Sequence, residues 1–324
     1  MATRTSKREP PRGAAQRASK PAAAWHPRHI NELQILESPA FERSDWLVHG
    51  FSTRPGGASE FPTNREGHAS TEKVLNLGFT EWDSRDRVLE NREKFLASLN
   101  ASKMRVVGLR QIHSDIIHVV GSADVPQGEQ APKGDALITR EPGVLLVVQT
   151  ADCIPILLAD TKNRVVAAIH SGWRGTAQRS AEKTLGRMQM EFGTRPQDVI
   201  AALGPGIDRC CYEVGHEVVK EFAAKFPNAR EWFEGPFDTL ENGDNDSNWL
   251  PWLTMRPPGH APPAARVQLD LIAANRDMLT AAGVPPEKIQ SSGFCTSCRT
   301  DLFFSYRREQ TTGRLMAAIG IREL

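Results

Sequence analysis

Apolar residues follow two rhythms along this chain. From Trp46 onward, short β-branched runs alternate with stretches in which apolar positions recur every three or four residues. Three runs predict strands: Val144 to Val148, Ile154 to Ala159 and Arg164 to Ile169. The last two are separated by the turn-forming Asp160-Thr161-Lys162-Asn163. Beyond Gly175, the residues Ala177, Ala181, Leu185, Met188 and Phe192 draw a single apolar stripe, which predicts a helix with its first turn at Thr176. Further helices are predicted over Asp83 to Leu99, Val214 to Phe226 and Leu269 to Ala282, the last stopped by Gly283 and the Pro285-Pro286 pair. Strands and helices mixed in this way predict an α/β-type body in one domain, residues 29–324.

Two segments depart from the pattern. Residues 1–28 are rich in Ala, Arg, Lys and Pro and carry too few large apolar side chains to offset the entropy of ordering, so a disordered basic tail is expected. Pro10 and Pro11 would break the amphipathic helix of a transit peptide. Between Pro227 and Ala265 the sequence turns to Pro, Gly, Asn and Asp with Trp232, Trp249 and Trp252. That composition predicts a surface insert at about 227–265, packed against the body by its tryptophans, either as a lid or as an added segment.

Charge and cysteine usage narrow the class. The tail holds seven Lys or Arg against the single Glu9, a surplus of six, so with +1 overall the remainder carries five net negative charges. A mildly acidic body argues against nucleic acid as the main partner. No run approaches the roughly 18 apolar residues that would cross a bilayer. The five cysteines, at 153, 210, 211, 295 and 298, lack the regular spacing of a secreted disulfide framework, and a reducing cytoplasm is the expected setting.

Three residues stand where strands end. Cys153 follows Gln149-Thr150-Ala151-Asp152 at a strand junction, although a lone cysteine there can equally be a packed thiol. His170 closes the next strand and enters Ser171-Gly172-Trp173-Arg174-Gly175, a turn that either aims backbone N–H groups at an anion or merely uses glycine for its backbone freedom. His113, in Gln111-Ile112-His113-Ser114-Asp115, is expected on a strand leading into Ile116 to Val120, sharing a face with Asp115 while His118 points away in a structural role. Two imidazoles and one thiolate suit zinc or copper, and three protein ligands leave a fourth position for water or substrate.

Other motifs are weaker. His216-Glu217-Val218-Val219-Lys220 begins like a metalloprotease helix but has Lys where the second His is required. Cys295-Thr296-Ser297-Cys298 is half of a zinc ribbon without its other half. It is expected to be a structural element or support for the site, with a redox pair as the alternative.

Taken together, Phe51-Ser52-Thr53-Arg54 with Gly56-Gly57, Gln111-Ile112-His113, Thr150-Ala151-Asp152-Cys153, His170 to Gly175, Leu203-Gly204-Pro205-Gly206-Ile207 and Phe304-Ser305-Tyr306-Arg307-Arg308 resemble one family. It is the laccase-domain, YfiH-like family, also called the purine nucleoside phosphorylase or FAMIN-like family. The resemblance runs from about Trp46 to the C-terminus. It implies an α+β fold of mixed β-sheets packed face to face with flanking helices, and a zinc site at His113, Cys153 and His170, with copper as the alternative metal. It also implies phosphorolysis of adenosine, inosine and methylthioadenosine with adenosine deamination, and small-molecule partners only. A monomer is expected.

Older names for the family speak of polyphenol oxidase; a multicopper site needs more imidazoles than nine histidines without a His-x-His pair suggest, which leaves a mononuclear copper polyphenol oxidase as an alternative function. Under the phosphorylase reading, Arg54, Arg174 and Arg308 are the candidates for phosphate, each with a surface ion pair as the alternative. Under the deaminase reading, Asp152 or Asp115 would shuttle a proton, or Asp152 would orient a ligand. The rivals are a metal-independent cysteine hydrolase, with Cys153 as nucleophile and His170 as its base, and a non-enzymatic cell-envelope factor of the kind linked to peptidoglycan editing.

Overall fold

The computed structural model describes residues 25–65, 68–123, 130–235 and 267–323. The chain runs through β1 (Pro27–Ile30), β2 (Leu33–Leu36), β3 (Leu47–Ser52), β4 (Pro55–Arg65), β5 (His68–Val74), α1 (Arg85–Ser98), β6 (Arg105–Val107) and β7 (Ile117–Val120). It continues through β8 (Ala136–Thr139), β9 (Val144–Thr150), β10 (Ile154–Asp160), β11 (Val165–Ser171), α2 (Trp173–Ala177), α3 (Ser180–Phe192) and β12 (Val199–Leu203). The remainder comprises β13 (Glu213–Val214), α4 (His216–Lys225), β14 (Phe233–Glu234), β15 (Val267–Leu269), α5 (Leu271–Ala281), β16 (Ile289–Ser291), α6 (Tyr306–Glu309) and β17 (Leu315–Ile321).

Two six-stranded sheets form the centre. One has the order β1-β2-β3-β17-β9-β6, the other β16-β12-β10-β11-β8-β7. Each is mixed: β6 pairs with β9, β7 with β8 and β12 with β16 in parallel, while the remaining pairs are antiparallel. Side-chain alternation explains the layers. Val144, Leu146 and Val148 of β9 share one core with Leu157, Ala159, Val166 and Ala168 of the facing sheet. The intervening Leu145 and Val147 pack outward with Phe95 of α1. Ile154, Ile156 and Leu158 of β10 face the other way, onto Ala181, Leu185 and Met188 of α3 and Phe222 of α4. The result is helix on sheet on sheet on helix, the α+β arrangement expected from the family resemblance. Strands buried on both faces read as continuous apolar runs, which is why they were visible in the sequence.

Element ends shift by a residue or two from the expected ones, with two real differences. The single helix predicted from Thr176 is two, α2 and α3, broken at Gln178 and at Arg179, whose φ of 59° is left-handed. The apolar stripe survives because Ala177 and Ala181 still meet the same core. Trp25, inside the expected tail, is buried with its ring 5.2 Å from that of Phe51, and Pro27 already begins β1. The ordered body therefore starts before residue 29.

Within the predicted insert, Trp232 is buried against Phe222 and Phe226 and its Nε1 donates to Asp277 at 2.7 Å. Trp249, Trp252 and the tail before residue 25 lie outside the described residues. Among the described residues no helix is long and apolar enough to cross a membrane.

Candidate metal centre

Two loops and the end of a strand converge at the same end of the two sheets. Cys153 sits between β9 and β10, His170 is the penultimate residue of β11, and His113 occupies the loop before β7. Their potential ligand atoms lie within 4.8 Å of one another, with Cys153 Sγ 3.9 Å from His113 Nε2. His170 is buried, Cys153 is half-buried and His113 is exposed, so the cluster opens to solvent on the His113 side.

His113 is not on a strand. Its φ is 59°, and the backbone N–H groups of Ile112, His113 and Ser114 curl around the Asp135 carboxylate, donating at 3.2, 3.0 and 2.6 Å. Such a nest of successive N–H groups stabilises an anion and, in turn, holds the loop in its left-handed turn. Gln111 pins the same loop to β9: its amide nitrogen donates to Gln149 O and its amide oxygen accepts from Gln149 N, both at 2.7 Å. The expected strand face shared by His113 and Asp115 is therefore absent, and Asp115 turns away to pair with Lys183. His118 contacts Lys133 O at 2.9 Å, the structural role expected of it.

Asp135, which the sequence did not single out, organises the centre. Fully buried, it also accepts from Ser114 Oγ at 2.7 Å and from His170 Nδ1 at 2.8 Å. Burial pushes its carboxyl up, but the bonds from His170 and Ser114 overrule that and hold it at about 2. An ionised Asp135 holds a proton on His170 Nδ1, so Nε2 is the nitrogen turned toward Cys153 and would ligate a metal once its own proton is displaced. Burial alone would raise the Cys153 thiol, yet His170 and His113 hold it down at about 6. His170, which burial alone would lower, is raised to about 9 by Cys153 and Asp135. The sulfur is thus a thiolate at neutral pH, the form that ligates metals.

Gly172 shows why the turn after His170 needs glycine. A Cβ there would lie 2.7 Å from Cys153 Sγ and 3.3 Å from His113 Cδ2, so the requirement is space rather than backbone angle. Behind the turn, Ser171 Oγ donates to Asn275 Oδ1 at 2.9 Å and Asn275 Nδ2 donates to Thr176 Oγ1 at 3.0 Å, locking β11, α2 and α5 together.

The other candidates separate. Asp152 has a φ of 92°, a strained value for a residue with a side chain, and its carboxylate accepts from Thr296 Oγ1 at 2.7 Å and from Arg307 N at 2.6 Å. It braces the loop before Cys153 and does not stand free as a proton shuttle. Arg54 is buried, with its terminal nitrogens 2.5 Å from Glu72 and Glu309 and its guanidinium over the rings of Phe61 and Phe304. Both carboxylates already engage its charge, and it ties β4 to the Phe304 segment. Arg308 is exposed and donates from Nε to Ser297 O at 3.2 Å. Arg174 is exposed on α2, stacked over Trp173.

Two further groups join the neighbourhood. Burial, then the Cys153 charge, pushes the Tyr212 phenol above its ordinary value, while Arg307 and Arg174 oppose the shift. Burial lowers Arg314, while the charges of Cys153, Tyr306 and Asp152 pull it back up. Arg314, which stands just before β17, escaped the sequence reading because it lies outside the motifs that carry the family resemblance.

The family model described as multi-copper polyphenol oxidoreductase laccase matches residues 48–322. The chain belongs to this family. Purine nucleoside phosphorylase YlmD of Geobacillus stearothermophilus is 37% identical over 282 residues, 85% of this chain and 90% of that protein. Adenosine deaminase RL5, from an unknown prokaryotic organism, is 33% identical over 278 residues, 84% of this chain and 93% of that one. The crystal structure of the hypothetical protein YfiH of Bacillus licheniformis matches with a TM-score of 0.73 at 29% identity, covering 91% of this chain and 98% of the other. In this laccase-domain protein, the segments around Gln111, Ile207 and Arg307 that helped to signal the family pack against the loops of the cluster. Gln111 holds the His113 loop, Ile207 N donates to Asp152 O at 2.7 Å, and Arg307 N donates to the Asp152 carboxylate.

Proposed function

We propose that the protein is a zinc-dependent purine nucleoside phosphorylase, acting on adenosine, inosine and methylthioadenosine, with adenosine deaminase activity at the same centre. The observation that carries this reading is the open cluster of His113, Cys153 and His170 in a chain whose relatives bear those two enzyme names. The donor set fits zinc. Ligands at about 2.0–2.3 Å in a tetrahedron stand about 3.5 Å apart, and Cys153 Sγ is 3.9 Å from His113 Nε2. Bound there, zinc would supply a Lewis acid with one open coordination position. Copper also suits an N,N,S donor set. A four-copper oxidase centre is disfavoured, because the described residues form only one cluster that contains histidine.

The chain's own residues would do the rest. In phosphorolysis an oxygen of phosphate bonds to the ribose C1′ as the C1′–N9 bond breaks, and the purine leaves with the electron pair and takes up a proton. Arg174, Arg308 and Arg314 are the guanidinium groups proposed to hold the phosphate dianion. Tyr212, whose raised pKa keeps its phenol protonated, is proposed as a hydrogen-bond donor to the departing base. In deamination the oxygen of water bonds to C6 and ammonia leaves. Asp135 is proposed to orient His170 through Nδ1, which leaves Nε2 for the metal in both reactions. Partners are small molecules, and the five free thiols suit a reducing cytoplasm.

The chain Asp135–His170–Cys153 also has the order of orienter, base and nucleophile, so a cysteine hydrolase is the competing reading. Incubation with adenosine and phosphate decides between them. Adenine and ribose 1-phosphate, with product formation lost in Cys153→Ala together with bound zinc, support the phosphorylase. Covalent labelling of Cys153 with full activity after chelation supports the hydrolase.

A further inference from the structure

The Cys295-Thr296-Ser297-Cys298 segment has the other half it lacked in the sequence. Cys210 and Cys211, more than 80 positions earlier, bring their sulfurs to the same place, and all four lie within 4.8 Å of one another. Cys211 Sγ is 3.3 Å and Cys210 Sγ 3.5 Å from Cys298 Sγ, and the adjacent pair is 3.8 Å apart. Four sulfurs at about 2.3 Å from one zinc ion stand about 3.8 Å apart in a tetrahedron. The spread therefore matches a single ion. It is too tight for an iron–sulfur cubane, whose cysteines bind separate irons.

The surroundings are those of a ligand set held in place. Asp208 N donates to Cys295 Sγ at 3.4 Å, as backbone amides do to metal-bound thiolates. Gly206 bridges to Cys295, and Thr296 N donates to Gly206 O at 3.0 Å, fixing the two cysteine-bearing loops side by side. Without an ion, four thiols would crowd together on a surface where Cys210 and Cys298 are exposed and nothing would reward the approach.

We infer that Cys210, Cys211, Cys295 and Cys298 form a second, structural zinc site of the all-sulfur kind. With four protein ligands it has no open position, so it clamps rather than catalyses. What it clamps is specific. Tyr212 follows Cys211 directly, and Thr296 between the other two cysteines braces Asp152, the neighbour of Cys153. The clamp holds the rim of the catalytic centre in register with its floor. This inference does not depend on which reaction the centre performs.

Zinc content of the full-length protein, loaded with zinc under reducing conditions and freed of excess, provides the test. Two equivalents are expected in the wild type, one in Cys298→Ser and one in Cys153→Ala. Cobalt substitution should give the intense near-ultraviolet sulfur-to-metal bands of a tetrathiolate in Cys153→Ala and lose them in Cys298→Ser. Alkylation of wild-type protein, which needs no variant to fold, should spare Cys210, Cys211 and Cys298 until zinc is stripped. Equal zinc content in wild type and Cys298→Ser, rapid alkylation of those three cysteines in zinc-loaded protein, or a disulfide among them would overturn the proposal.

Discussion

The two sulfur-bearing clusters of this protein are tied to the same residue, Asp152, yet they are built for different purposes. One combines two imidazoles with one thiolate, places them on two loops and a strand end and leaves His113 exposed. The other gathers four thiols from two loops. The mixed cluster is held by a buried carboxylate that fixes both the loop and the histidine tautomer, whereas the all-sulfur cluster relies on backbone contacts between its loops. Donor number separates a centre that can accept a substrate from one that can only join chain segments. The support around each follows from that difference: an open centre must be rigid without its fourth ligand.

Substitutions that touch one cluster and spare the other sharpen this contrast. The largest effect is expected from Gly172→Ala, whose added methyl would meet Cys153 Sγ and displace it. A misplacement near 1 Å can cost about 10²-fold in rate, so phosphorolysis should fall by about that factor while the thiols at 210, 211, 295 and 298 keep their metal. Unchanged turnover would mean that the sulfur does not need its present position.

Asp135→Asn comes next. Loss of an outer partner of a ligating histidine typically costs about 10–100-fold in metal affinity or activity, and zinc titration of the mixed centre should weaken within that range. Cys298→Ser should act in the opposite sense. It should lower the melting temperature, by roughly 2–4 °C for each kcal/mol lost in a domain of 150–250 residues, with a smaller change in turnover than Gly172→Ala. A larger loss of turnover than of stability would make the all-sulfur cluster part of the chemistry.

The smallest effect involves neither cluster. His49 accepts from Ser38 N at 2.9 Å, and its pKa falls from 6.5 to about 4, through burial first and then through Arg28 and Arg322. The folded protein resists protonation of His49 while the unfolded chain accepts it, so stability should be full above pH 6.5 and decline as pH falls toward about 4. Unfolding curves of His49→Gln should show a shallower decline over that window, with zinc content unchanged. An equal slope would assign the acid sensitivity to other groups.

The sandwich of sheets was legible because β9, β10 and β11 bury both faces, and continuous apolar runs survive any reading of period. The three residues of the mixed cluster were legible as candidates because each ends a strand or belongs to a motif. The backbone at His113 was not, since its turn is imposed by the carboxylate of a residue 22 positions away. Asp135 left no local signal: it is a single acidic residue before an apolar strand, and its importance lies in what folds around it. The break at Arg179 was hidden by an apolar stripe that the core preserves on both sides of it. Arg54 looked like an anion ligand because Glu72 and Glu309, which neutralise it, are distant in the sequence. The half-ribbon at 295–298 seemed incomplete for the same reason, as its complement lies on another loop.

The most direct test follows adenosine phosphorolysis and zinc content in the same sample of wild-type protein as the metal is removed and returned. Release of adenine and ribose 1-phosphate should disappear with the zinc of the His113, Cys153 and His170 centre and return when zinc is added back. Undiminished phosphorolysis by protein stripped of all metal would contradict the account.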